Sequence, residues 1–401
     1  MRFTLRGARL VDATMDLSGG DITVNGESIQ EVGEVREESS SVIDAAGMIV
    51  MPGFIEVHTH GGGGNNLHTT NAQEIHAYAH WVASTGVTAF LVAVVGTPHA
   101  MPEPQLRTAV EAIENGQLEM AEPVGIHLEG PYISAKRRGA HPTSWLRTPN
   151  EEETEHVLDI TRGFLRLVTL APELPGAEAM TRRLIEAGVT VSMGHTDINY
   201  EQAHEAIKQG VTHMTHCFNA MRPLLHREPG PIAAVAESEQ VQGELIIDRV
   251  HVHPAVAKIL VKALSPERTV VITDAQAGAG LPDGSVFEFA GQFTHVRRGA
   301  ARLADGSLAG SVLTMDQALR NVLQITDVSL SDAVRMLTLN PARAARVDNR
   351  KALLRAGYDA DLLIFDSSLQ LQATICRGSL AFATEAWQEQ LNMLEHDETR
   401  R

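Results

Sequence analysis

Two histidines, His58 and His60, close the apolar run that begins at Ile49, and Gly61–Gly64 follow them. On an extended strand that spacing puts both imidazoles on one face, so both can point at a single ion. A His-x-His pair alone is a weak signal, because two core or surface histidines look the same. Its setting makes it stronger. The run Val124–Leu128 ends in Glu129-Gly130-Pro131, and Val189–Met193 ends in Gly194-His195-Thr196. Val211–Met214 is followed by His216, and Val270–Thr273 ends in Asp274. Neutral imidazoles with a carboxylate form a hydrolytic site for zinc or iron that leaves a position open for water. An aspartate beside that water is placed to be general base, then acid to a leaving amine. Gly130-Pro131 makes a tight turn that holds Glu129 in place, and the glycines after His60 would let backbone approach a ligand closely. His127 and His213 read as structural, and His68, His76 and His80 as packing or surface residues of a helical region.

These groups need strands to carry them. Eight short apolar runs, Ile49–Val57, Val87–Val94, Val124–Leu128, Phe164–Leu170, Val189–Met193, Val211–Met214, Leu245–Ile247 and Val270–Thr273, have the continuous hydrophobicity of strands buried on both faces. Amphipathic stretches such as Ala72–Ser84, Pro104–Glu114, Ala177–Ala187, Tyr200–Lys208 and Pro254–Ala263 lie between them. Repeated β-then-α units predict an α/β fold, a (β/α)8 TIM-type barrel over residues 51–346. In such a barrel the carboxyl ends of the strands share one mouth, so these five segments converge there. Both chain ends are β-like: residues 1–50 and 347–381 are expected to pair into one small β-sandwich. Residues 382–401 are expected to form a surface helix or tail.

The composition narrows the partners. The chain has 401 residues, with 33 Lys and Arg against 50 Asp and Glu, a formal charge of −17. That balance argues against nucleic acid or an anionic membrane as the main partner, and an anionic substrate must be met by a local cluster of donors. Two cysteines, Cys217 and Cys376, exclude a disulfide framework and fit a reducing compartment. No run resembles a signal peptide or a membrane span, so a cytoplasmic location is expected.

The motifs PGFIEVHTHGGGG, HLEGPYIS, VTLAPE, GHT, HCFNAM, REPG, TDA, DGSLAGS and NPA occur in that order, and LLRAGYDADLLIFD near the end looks like a closing strand motif. Together, over about residues 5–381, they resemble the N-acetylglucosamine-6-phosphate deacetylases of the amidohydrolase superfamily. The resemblance implies hydrolysis of the N-acetyl group of N-acetyl-D-glucosamine 6-phosphate, with the galactosamine epimer as the alternative substrate and, behind it, an amidohydrolase activity on a different amide. It implies a divalent metal, one or two ions per subunit, with zinc foremost and iron, manganese or cobalt as alternatives. Glu129, His195 and His216 would bind the first ion, and His58 and His60 a second one shared with Glu129. Glu129 takes the place of the carbamylated lysine that bridges metals in hydantoinases and dihydroorotases. Asp274 would be the catalytic acid/base and His141 a contact near the acetyl group. Asn219, Ala220 and His251 would hold the phosphate, and Arg227 would reach the phosphate of a neighbouring subunit in a homodimer. The family usually has glycine where Arg249 follows Asp248. That arginine could add phosphate affinity, reshape the sugar pocket, or point harmlessly outward.

Overall fold

The computed structural model describes residues 2–35, 41–289 and 291–390. Its centre is a sheet of eight parallel strands: β1 (Phe54–Glu56), β2 (Val87–Val94), β3 (Glu122–Glu129), β4 (Leu165–Leu170), β5 (Thr190–Met193), β6 (His213–Met214), β7 (Gln242–Ile246) and β8 (Thr269–Ile272). They pair in sequence order. A helix follows each of the first seven: Ala72–Ala83, Glu103–Glu114, Glu151–Ile160, Ala177–Glu186, Tyr200–Lys208, Gly230–Glu237 and Pro254–Arg268. Met315–Ile325 follows the eighth. The expected (β/α)8 barrel is therefore present. Local chemistry starts several helices: Asn71 and Asn150 accept from backbone N–H groups of their first turns, and Asn199 makes a capping box with Gln202. No helix among the described residues is long and apolar enough to cross a membrane.

The seam between β1 and β8 is closed by individual bonds at the mouth. Asp274 N donates to His58 O at 2.9 Å, and His60 N donates to Ala275 O at 2.7 Å. Below them one buried carboxylate bridges both strands: Glu56 accepts from His58 N at 2.9 Å and from Thr273 N at 3.0 Å.

The run Ile49–Val57, expected as one strand, is two. Ile49–Pro52 pairs antiparallel with Leu362–Phe365 in the small sheet, and Gly53 then turns the chain into β1. A Cβ at Gly53 would lie 1.9 Å from the Thr88 hydroxyl, so only glycine allows this close crossing. The small sheet also contains Arg2–Asp12, Met15–Asn25, Ser28–Gly33, Val42–Asp44, Leu371–Cys376 and Ser379–Ala383, so both chain ends build it. Arg2–Asp12 is one continuous strand. Its register shifts after Leu5, so its first half pairs with Val42–Asp44 and its second with Ile49–Pro52. The sheet encloses Phe3, Leu5, Leu10, Ile22, Val50, Leu362 and Ile364. Residues 382–383 of the expected tail belong to the last strand, and 385–390 are helical with Trp387 buried against this core. The rest of that expectation lies outside the described residues.

One element was not foreseen. After β8 the chain makes a three-stranded antiparallel sheet, Val286–Phe289, Gln292–Arg297 and Ala300–Leu303. It sits over the mouth, where Gln292 Nε2 donates to Ala140 O and Phe289 packs on His60.

Candidate active site

Three of the ligand-type residues, and Ala220 beside them, sit in strained backbone. His195, His216, Ala220 and Asp274 have φ of 46°, 28°, 50° and 48°. Non-glycine residues in this region are uncommon, and clusters of them mark sites whose geometry the surrounding structure imposes. The turns bring the side chains together around one carboxylate. Glu129 Oε1 lies 3.1 Å from His195 Nε2, 3.4 Å from His216 Nε2 and 3.3 Å from His58 Nε2. Glu129 Oε2 lies 3.2 Å from His60 Nε2 and 3.4 Å from His141 Nε2. Asp274 Oδ1 is 3.1 Å from His60 Nε2 and 3.7 Å from His58 Nε2.

Tautomers follow from the far ring nitrogens. His195 Nδ1 faces Arg137 O at 2.8 Å and must donate to it, so neutral His195 presents a lone pair at Nε2. His58 Nδ1 faces Glu244 Oε2 at 2.8 Å, with the same consequence. The His195 lone pair then meets His216 Nε2 at 3.0 Å and Glu129 Oε1 at 3.1 Å. Buried acceptors that converge in this way repel one another unless a cation or a shared proton lies among them. The donor set, imidazoles and a carboxylate, suits a divalent metal. Two groups of three ligand atoms, from His58, His60 and Asp274 and from Glu129, His141 and His195, each fall within 4.8 Å.

Protons can supply the same positive charge: burial lowers the His60 pKa, but Asp274 and Glu129 raise it to about 9. Burial pushes the Glu129 carboxyl up, but His58, His141, His195 and His216 hold it well below the usual range. Burial also opposes ionisation of Asp274, yet His60 and His58 keep it below its ordinary value. His127, read as structural, pairs with Thr169 Oγ1 at 2.9 Å, and burial pushes its pKa down to about 3. His213 reaches Glu244 and no ligand group, in line with its structural reading.

A cavity of about 190 Å³ opens on this cluster, lined by Glu129, His141, Asn219, Ala220, His251 and Asp274 among others. Arg227 is not among its walls. It is exposed and faces a separate depression with Arg137, Tyr200 and Arg222. Arg249 points outward to Gln324 at 2.6 Å. Its φ of 69° explains a family preference for glycine there. The segment His251-Val252-His253 is not extended: His251 Nδ1 meets Asp248 Oδ2 at 2.7 Å, and His253 caps the next helix. Cβ atoms at Gly62 and Gly63 would strike the Trp81 ring at 2.0 and 2.4 Å, so these two glycines make room for that side chain. His68 lies before the helix, its Nδ1 accepting from Val95 N.

Sequence reasoning missed Glu56, Glu244, Gln276 and Phe289. The first two carried a signal: each is an acid inside a run otherwise buried on both faces, and such a group needs partners. Gln276 lines the cavity with its Oε1 unbonded among the described residues.

The amidohydrolase family model matches residues 49–393. The N-acetylglucosamine-6-phosphate deacetylase of Bacillus subtilis (strain 168) is 36% identical over 374 residues, 92% of this chain and 94% of that one. The N-acetylgalactosamine-6-phosphate deacetylase of Escherichia coli O157:H7 is 34% identical over 341 residues, 85% and 90% of the two chains. A mutant N-acetyl-D-glucosamine-6-phosphate deacetylase from Mycobacterium smegmatis, solved in complex with N-acetyl-D-glucosamine 6-phosphate, has the same fold with a TM-score of 0.90. It is 34% identical, over 95% of this chain and 100% of that one. With a matching barrel, a matching family model and relatives aligned along nearly their whole length, the chain belongs to the amidohydrolase family, within its N-acetylglucosamine-6-phosphate deacetylase group.

Proposed function

We propose that the chain hydrolyses the N-acetyl group of N-acetyl-D-glucosamine 6-phosphate to D-glucosamine 6-phosphate and acetate. The observation that carries this reading is the convergence of five imidazole nitrogens on Glu129 beside Asp274, at the floor of a cavity reached by Asn219, Ala220 and His251. Glu129, His195 and His216 would hold one divalent ion, and His58 and His60 a second with Glu129. Bound there, a divalent cation supplies Lewis acidity, making a water more acidic and the acyl oxygen more electrophilic. Zinc suits the donors best.

Asp274 accepts the proton of the attacking water at its carboxylate and returns it to the nitrogen as the C–N bond breaks. His141 Nε2 faces the same space and is placed to donate to the acyl oxygen. Asn219, the Ala220 backbone and His251 hold the phosphate, whose binding fixes the amide against Asp274. Arg227, exposed beside Leu224 and Leu225, reaches the phosphate of a second copy in a homodimer. We place the enzyme in the cytoplasm, in keeping with its phosphorylated substrate and two buried free thiols.

The galactosamine 6-phosphate relative, at an identity close to that of the glucosamine relatives, keeps the epimer as a second reading. The test is acetate release from each phosphosugar, with metal content measured on the same sample. Release that a chelator abolishes and metal restores, faster with the glucosamine substrate, is expected. No release from metal-replete protein would refute the proposal, and a preference for the galactosamine substrate would select the second reading.

A further inference from the structure

Glu244 lies in the middle of β7 and is fully buried, yet it is no part of the ligand cluster. Both its oxygens are directed at members of that cluster and at His213 beside them. Oε2 accepts from His58 Nδ1 at 2.8 Å and from His216 N at 3.0 Å, while Oε1 meets His213 Nε2 at 3.1 Å. One carboxylate thus ties β1, β6 and β7 together directly beneath the site. As mere glue this would be a poor choice, because buried ionic groups usually add little stability over well-packed apolar residues. Their positioning value is another matter: a second-layer carboxylate fixes the tautomer and ring orientation of a ligating histidine and makes it a better donor.

We infer that Glu244 is the positioning residue that makes His58 a metal ligand, by holding its Nδ1 proton and turning its Nε2 lone pair toward Glu129 and Asp274. This rests on the metal reading proposed above. The geometry leaves His58 no other useful orientation. Its ring is fully buried, edge-on to His127 at 4.6 Å, and its Nε2 makes no hydrogen bond among the described residues. Without the carboxylate the Nδ1–H loses its acceptor, and the neutral ring can place its proton on Nε2, where it blocks the metal. His213 supports Glu244 from behind, with its own Nδ1 unbonded and free to change tautomer.

That freedom of His213 gives the test its discriminating pair of variants. In Glu244→Asp the carboxylate keeps its charge but withdraws by one methylene from His58. In Glu244→Gln the amide oxygen can stay on His58 Nδ1 and His216 N while the amide nitrogen donates to a re-tautomerised His213. The full chain, stripped of metal, is titrated calorimetrically with Zn²⁺, and thermal unfolding of each stripped variant serves as the folding control. Zn²⁺ binding is expected to weaken about 10–100-fold in Glu244→Asp and to stay within about threefold of the starting protein in Glu244→Gln. In a His58→Asn background Glu244→Asp should add little further loss. Equal Zn²⁺ binding by the starting protein and Glu244→Asp would overturn the role of Glu244, as would an undiminished loss in the His58→Asn background. Failure of the unaltered chain to bind Zn²⁺ would instead remove the metal reading on which the inference rests.

Discussion

Replacing Asp274 by Asn tests the proposed chemistry with the least disturbance of its surroundings. The backbone at Asp274 sits at φ 48°, anchored by Asp274 N to His58 O at 2.9 Å and by Ser311 N to Asp274 O at 2.7 Å. Asparagine tolerates that left-handed conformation, whereas alanine would add strain and confuse the result. The amide keeps the shape of the side chain and can still meet His60 Nε2, 3.1 Å from Oδ1. What it loses is basicity. General acid–base catalysis contributes about 10²–10⁴-fold, and here one residue serves both proton transfers. The other carboxylate on the cavity wall, Glu129, is engaged by five imidazoles and cannot substitute. The loss in kcat should therefore fall near the upper end, about 10⁴-fold or roughly 5 kcal/mol of barrier. Acetate release and metal content are measured on the same preparation, with metal retained because Glu129, His195 and His216 are untouched. Turnover within about tenfold of the starting enzyme would refute the assignment of Asp274 and the argument that no neighbour can replace it.

Other outcomes follow from the same coordinates. Glu56→Ala removes the acceptor of two buried N–H groups across the barrel seam and should destabilise the fold by about 2–6 kcal/mol, read from urea unfolding. Unchanged stability would mean that the seam closes without the Glu56 carboxylate. Burial pushes the Glu122 carboxyl up, but Lys351 and Arg350 hold it down at about 2 against its ordinary 4.5. A depressed carboxyl adds stability that is present above pH 4.5 and lost as pH falls toward 2, at most about 3 kcal/mol. Asp361, raised mainly by burial, opposes part of this. Glu122→Gln should make the acid limb of the unfolding-against-pH curve shallower, and an identical limb would contradict the assigned ion pairs. Gln276→Ala removes an amide with no side-chain partner among the described residues and should cut kcat/KM about 3–10-fold, chiefly through KM. Arg227→Ala should raise KM for the phosphosugar with kcat nearly unchanged, and an unaltered KM would exclude its reach to a phosphate.

The barrel was legible because parallel strands buried on both faces read as unbroken apolar runs, and all eight runs carry a barrel strand. What escaped is what that pattern cannot encode. The crossing at Gly53 divides one apolar run between two sheets, and nothing in hydrophobicity marks the division. The sheet over the mouth escaped because its short strands are largely solvent-facing, with Val286 53% and Phe293 70% exposed, so no clean alternation appears. The ligand-type residues were legible as strand-end chemistry, and the structure brings His58, His60, Glu129, His141, His195, His216 and Asp274 into one cluster. Arg227 lies apart from that cluster, on an exposed surface beside a separate depression.

The two acids overlooked inside strands show how the site is held. His195, His216 and Asp274 each occupy a backbone conformation that costs on the order of 1–3 kcal/mol, so the ligand turns would relax if left alone. Each is restrained by a neighbouring segment: Ser134 N bonds His195 O, Cys217 N bonds Glu244 O, and Ser311 N bonds Asp274 O. Glu56 and Glu244 add the side-chain half of the same device, because each accepts a backbone N–H from a ligand-type residue, His58 and His216 respectively. Four of the eight strands, β1, β6, β7 and β8, are tied to the candidate ligands through these two carboxylates. These hydrogen bonds of the barrel itself therefore offset part of the strain in the turns that carry His195, His216 and Asp274.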